Sequence, residues 1–192
     1  MTSQQCPANS QQERIRRLLD SERAQMLDTF FIFNFCGIDT YDKVAEIGCG
    51  PGLFTIPLAK HLSHGKVYAL DILDEMLDFC RERVEQARLG NVELLKCDDY
   101  DFPAEKATLD GAFVAFVIHQ VPDRARFLRA VRELLKPGGW CCFVEYYRKP
   151  DDLPDHRVNY DELETMAKEA GFEHRGWRNL NGEHYLMRLR KI

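Results

Sequence analysis

The longest apolar run in this sequence, Phe30–Ile38, is nine residues and is broken by Asn34 and Gly37. A membrane-spanning helix needs about 20 apolar residues, so no span is expected. Excess positive charge is also missing. Lys and Arg number 26 against 31 Asp and Glu, a net charge of −5. Nucleic-acid binders usually carry a basic face, so nucleic acid is not the expected partner. The small basic clusters at 12–23 and at Arg188, Arg190 and Lys191 read as solvated helix and strand faces. No two of the seven cysteines (6, 36, 49, 80, 97, 141 and 142) stand in a CxxC spacing, and their number is odd. That argues against a disulfide framework or a zinc site, and for reduced thiols. Cys141 and Cys142 are neighbours, but neighbours in a strand face opposite sides, so they read as two buried core residues. The polar start, Met1–Gln12, and the Arg16-Arg17 pair, which no long apolar stretch follows, carry no export signature. The expected setting is cytoplasmic. Internal repeats and low-complexity segments are lacking too.

What is present is ordinary globular composition, 45% hydrophobic and 30% charged over 192 residues. A chain of this size buries roughly 70% of its unfolded surface and stands without disulfide or metal. It reads as a single domain: an N-terminal helical cap at 1–38, a core at 40–147, and a C-terminal helix and hairpin at 148–192. Strand and helix signals alternate through the core. Strands are predicted at Lys43–Gly48, Lys66–Ile72, Val92–Cys97, Leu109–Ile118 and Trp140–Tyr147. Helices are predicted near Leu53–Leu62, at Asp74–Arg88 with Asp74 as N-cap, and at Pro122–Leu135, stopped by Lys136-Pro137-Gly138-Gly139. Four strand–helix units and a fifth strand imply an α/β fold, a doubly wound, mostly parallel Rossmann-like sheet. A helix at Tyr160–Ala170 and strands near Phe172–Asn179 and Tyr185–Lys191, joined at Asn181-Gly182, add a C-terminal antiparallel hairpin and bring the sheet to about seven strands.

The most informative stretch is Val44-Ala45-Glu46-Ile47-Gly48-Cys49-Gly50-Pro51-Gly52-Leu53-Phe54, which joins the first strand to its helix. Glycines there let the backbone turn sharply and approach a ligand closely. In an open α/β sheet this loop lies at the carboxyl ends of the strands, where ligands bind. The dinucleotide fingerprint GxGxxG would need a third glycine at position 53, which is Leu53. The spacing is instead GxGxG, and a GxxxxGK[ST] P-loop is absent.

Glu-Ile-Gly-Cys-Gly-Pro-Gly resembles the first motif of class I S-adenosylmethionine-dependent methyltransferases, and further pieces match in order. Asp71 ends the second strand, 21 residues after Gly50. Asp98 follows the third strand, Leu109-Asp110 opens the fourth, and Leu134-Leu-Lys-Pro-Gly-Gly139 precedes the fifth. The match covers roughly residues 40–147, and its general pattern is similar to the small-molecule group that includes ubiquinone- and menaquinone-biosynthesis enzymes. The resemblance implies S-adenosylmethionine as cofactor. It implies Asp71 on the ribose hydroxyls, Asp98 or its neighbour Asp99 on the adenine amino group, and Ile72 and Met76 around the adenine. Glu46 and the loop residues Gly48, Cys49, Gly50 and Gly52 would lie against the methionine end, and Phe116 joins this cofactor set.

The acceptor side is less legible. Methyl transfer needs alignment and exclusion of water, and a base only where the nucleophile holds a proton. His119 follows the fourth strand, and Glu145, Tyr146 and Tyr147 end the fifth. His119, Tyr146 and Tyr147 are the candidate catalytic residues. The Asn/Asp-Pro-Pro-Tyr/Phe motif of nucleic-acid amine methyltransferases is replaced here by Ile-His-Gln-Val, so the expected acceptor is a small molecule. The competing readings are an NAD-type oxidoreductase, disfavoured by Leu53, and a non-catalytic cofactor-binding module, disfavoured by an intact glycine loop plus Asp71. A lid is expected from about Gln11 to Phe35, with Leu18, Leu19, Met26, Leu27, Phe30 and Phe31 on its apolar side, against a helix docked permanently on the sheet.

Overall fold

In the computed structural model the described residues are 13, 15, 16, 18, 19, 26–146 and 157–192. The first helix that lies wholly within the described residues, α1 (Thr29–Cys36), starts where Asp28 accepts the Phe31 N–H at 3.0 Å and stops at Gly37, whose φ of 68° a side chain would resist. Then come β1 (Lys43–Ile47), α2 (Thr55–His61), β2 (Lys66–Asp71), α3 (Asp74–Gln86), β3 (Val92–Lys96), β4 (Leu109–Ala115), α4 (Arg124–Leu134) and β5 (Leu135–Tyr146). The chain ends with α5 (Tyr160–Glu169), β6 (Phe172–Asn179) and β7 (His184–Lys191).

The seven strands form one sheet in the order β3-β2-β1-β4-β5-β7-β6. The first five are parallel, and β7 runs antiparallel to both β5 and β6. The doubly wound sheet with its C-terminal antiparallel pair is the expected one. After β3 the chain returns past β1 to β4, so the order reverses between β1 and β4. That reversal opens a crevice beyond their carboxyl ends.

Several local expectations are corrected. β3 reaches β4 through an irregular stretch, 97–108, so three strand–helix units are present rather than four. Asp74 is the first residue of α3 rather than its cap; Leu73 occupies the cap position, and Asp74 pairs with Lys96 Nζ at 2.9 Å. α4 begins two residues later than expected because Asp123 caps it, accepting the Arg126 N–H at 2.9 Å. Lys136–Gly139 does not separate helix from strand. It bulges out of β5, between the Leu109–Leu135 and Gly111–Trp140 pairs, and Lys136 Nζ reaches Asp110 Oδ1 at 2.6 Å.

Each face of the sheet carries its own core. Cys141 packs on the face covered by α4 and α5, and Cys142 on the face covered by α1, α2 and α3, as strand alternation requires. The six described cysteines are all buried and free. α1 buries Ile32, Phe33 and Cys36, with the Phe33 ring 6.0 Å from Phe113. Met26, Phe30 and Phe31, expected on the apolar side, are exposed, Phe30 at 75%. A helix this short buries only one stripe, and the sheet claims Ile32 and its neighbours. Of the C-terminal basic residues, Arg188, Arg190 and Lys191 donate to the carbonyls of Phe35, Gly138 and Leu135. Among the described residues, no helix is long and apolar enough to cross a membrane.

Candidate functional site

The glycine loop closes the crevice from the β1 side. Gly48, Gly50 and Gly52 all have positive φ, at 75°, 53° and 87°. The Gly48 and Cys49 amides both donate to the Leu70 carbonyl of β2, at 2.8 and 2.9 Å. A Cβ on Gly48 would lie 2.2 Å from Val117 Cγ2, so the loop can press on the β4–α4 connection only through a glycine. A Cβ on Gly50 would meet nothing within 4 Å, so this residue faces open space.

One cavity fills the crevice, and it gathers most of the expected cofactor residues: Gly48, Cys49, Gly50, Asp71, Ile72, Met76, Asp98, Asp99 and Phe116 line it. Asp71 is buried, and its two oxygens accept the Gly50 N–H at 2.8 Å and the Leu73 N–H at 2.9 Å. Ile72 is half exposed at the rim while Met76 is buried in the wall. Asp98 and Asp99 are both exposed at the same mouth. Gly52 and Glu46 stand behind the lining rather than in it. Cavity residues that sequence reasoning missed include Cys97, Phe102, Val117 and Gln120. The segment 97–102 has no regular spacing, so only the acids after β3 announced it.

Glu46 sits on β1 under the loop, 2% exposed, and its Oε2 has no hydrogen-bond partner. Burial pushes its carboxyl well above the usual range, with Cys80 and Asp71 adding to the effect and a hydrogen bond from Thr55 opposing it. Beside it the Cys49 thiol donates to the Gly50 carbonyl at 3.6 Å and the Cys80 thiol to Thr55 Oγ1 at 3.5 Å; the neighbouring Cys80 and burial push Cys49 upward, so it stays a thiol. No group of three or more metal-ligating side chains exists among the described residues.

The residues at the ends of β4 and β5 form a second cluster that meets the cavity through Phe116, while His119, Glu145 and Tyr146 lie behind its lining. β4 ends three residues earlier than expected because Phe116 turns to a φ of 60°, a conformation costly for a side chain. Its amide still bonds the Val144 carbonyl at 2.8 Å, while its ring leaves the sheet. That ring lines the cavity and lies 5.0 Å from Tyr146 and 5.1 Å from His184. His119, in the turn Ile118–Gln120, lies 5.4 Å from Tyr146, and its Nδ1 is 2.8 Å from Glu145 Oε2. His119 and Tyr146 are therefore brought together, whereas Tyr147 lies outside the described residues. Glu145 is 1% exposed, and its other oxygen, Oε1, has no partner.

Residues 44–139, which hold the glycine loop, Asp71 and the cavity wall, match the family described as "Methyltransferase domain". The chain belongs to this family. The methyltransferase domain is 35% identical over 98 residues to a demethylmenaquinone methyltransferase of Bacillus mycoides, a match covering 50% of this chain and 41% of that protein. The chain thus spans about two fifths of the length of the curated relatives it matches. A SAM-dependent methyltransferase from Aquifex aeolicus superimposes with a TM-score of 0.88 at 24% identity, over 94% of this chain and 98% of the other. Phosphoethanolamine N-methyltransferase 2 from Haemonchus contortus, in complex with S-adenosyl-L-methionine, superimposes at 0.73 with 17% identity, over 85% of this chain and 52% of the other. At these identities the structures speak for the fold.

Proposed function

We propose that this domain binds S-adenosylmethionine in the crevice and directs its methyl group onto a small-molecule acceptor. The observation that carries the reading is one cavity lined by the glycine loop, Asp71, Ile72, Met76, Asp98 and Asp99, with the buried, unpartnered Glu46 Oε2 behind that loop. A carboxylate in that position fits a cationic amino group, which the methionine end of the cofactor offers. The rest of the lining fits the other end. A carboxylate has about four acceptor sites, so Asp71 suits ribose hydroxyls as well as the two amides it holds. Ile72 and Met76 give an apolar slot for a flat base, and Asp98 and Asp99 stand where an amino group would donate. When bound, S-adenosylmethionine supplies a methyl carbon already activated by a sulfonium. The chain's own lining residues would hold the cofactor and keep water from that carbon.

Leu53 and the GxGxG spacing favour this reading over a nicotinamide oxidoreductase. The activity for which the Bacillus relative is named makes a reduced quinone one acceptor to try, and the six described cysteines, free and buried, suit a reducing, cytoplasmic setting. The test is incubation with methyl-labelled S-adenosylmethionine and a panel of small acceptors that includes demethylmenaquinol. Label in a small product supports the proposal. Binding without transfer to any acceptor would favour a non-catalytic module.

A further inference from the structure

Resting on that reading, we infer that His119, positioned by Glu145, is the general base of the transfer, and that the acceptor is a nucleophile carrying an ionisable hydroxyl proton. Glu145 is the anchor. It is buried at the end of β5, and a carboxylate there is costly unless it acts on a partner. With Glu145 as a carboxylate, which only accepts, the 2.8 Å contact is a donation from Nδ1–H of His119. In the neutral imidazole that leaves Nε2 as an acceptor on the opposite side of the ring. The His119 side chain keeps 15% of its surface exposed against 2% for Glu145, so the ring has an open edge that Glu145 lacks.

The surroundings suit a flat acceptor next to the cofactor. Phe116 belongs both to the cavity wall and to the aromatic group of Tyr146 and His184 that His119 adjoins. Another titratable group beside Glu145 is Tyr185, its neighbour on β7. Its hydroxyl donates to the Val158 carbonyl, and burial together with Glu145 pushes its phenol up, so it remains neutral. A simple pin between β5 and the turn would need only a neutral amide at position 145.

In the step proposed, the acceptor O–H proton passes to His119 Nε2. The electron pair left on the acceptor forms the bond to the methyl carbon, and the carbon–sulfur pair returns to sulfur. His119 then gives its proton to water.

The test uses the whole chain with S-adenosylhomocysteine bound and ¹⁵N-labelled histidine. NMR should find His119 protonated on Nδ1 and bare on Nε2, and Glu145→Gln should mix the tautomers. With catechol and 1,4-naphthohydroquinone as hydroxyl probes, His119→Ala should lose about 100-fold in kcat, the usual share of a general base. Its affinity for S-adenosylhomocysteine should change by less than about twofold, and added imidazole should restore part of the rate, which a merely structural histidine would not allow. The inference is overturned by an Nε2-protonated tautomer in the wild type, by His119→Ala keeping its rate, or by a cofactor-binding protein that methylates neither hydroxyl probe. Methylation confined to dimethyl sulfide, which has no proton to lose, overturns it too. Failure to bind S-adenosylhomocysteine at all would instead remove the reading on which it rests.

Discussion

The Asp71 carboxylate holds the Gly50 amide at 2.8 Å, and its second oxygen holds the Leu73 amide at 2.9 Å. One side chain at the end of β2 thus shapes both the glycine loop after β1 and the turn into α3. The residue that resemblance assigns to the ribose is also a structural clasp.

Asp71→Ala should therefore do two things. Leaving two amides without their acceptor should lower stability by roughly 1–3 kcal/mol, seen as a lower Tm. Cofactor affinity should fall by about 2 kcal/mol or more, some 30-fold in Kd, because charge-assisted hydrogen bonds are lost. Titration calorimetry on the folded variant measures the second effect; an unchanged Kd would remove Asp71 from the cofactor site.

Gly48 and Gly50 should respond differently to the same substitution. Gly48→Ala drives a Cβ into Val117, so its main effect is on Tm. Gly50→Ala meets open space and pays only for its positive φ, about 1 kcal/mol, so it should fold. Gly50→Val, bulkier and in the ligand's path, should abolish cofactor binding. Retained affinity in a folded Gly50→Val protein would make the loop a plain turn.

Glu46 predicts a pH effect of known sign. Its folded pKa lies above the unfolded value, so its contribution to stability is fully present below that unfolded value, about 4.3, and is lost as pH rises through the folded one. Glu46→Gln removes that loss. The variant should melt higher than wild type at pH 8 without cofactor, and close to it at pH 4. It should also bind S-adenosylmethionine about tenfold more weakly, since it no longer offers a charge to the amino group. Identical pH–Tm curves for the two proteins would contradict this account of Glu46.

How far these features were legible depends on how local they are. The glycine loop, Asp71 and the β6–β7 hairpin each carry their signal within a few residues, and all three emerge where expected. The His119–Glu145 pair joins positions 26 apart, so no spacing announces it, although both residues stood out as strand-end candidates. The buried face of α1 is not legible from hydropathy: Phe30 and Phe31 are more apolar than Cys36, yet the sheet selects which stripe is buried. Phe116 continues an apolar run that reads as strand, yet it has a positive φ and its ring lies against Tyr146 and His184, a tertiary arrangement no local pattern announces.

The expected lid divides in two. Leu18 lines the cavity, whereas α1 is docked on the sheet through Ile32 and Phe33. Hydrogen exchange with and without S-adenosylhomocysteine should find new protection around residues 13–19 on binding. Protection of 29–36 should be the same in both states. Equal protection around Leu18 would leave no lid at all.

The central claim is that the crevice is built for S-adenosylmethionine and not for a nicotinamide dinucleotide. Isothermal titration of the wild-type chain with each ligand tests it most directly. The account predicts one S-adenosylmethionine bound per chain, with no measurable heat of binding from NADH. Saturable NADH binding without S-adenosylmethionine binding would contradict it.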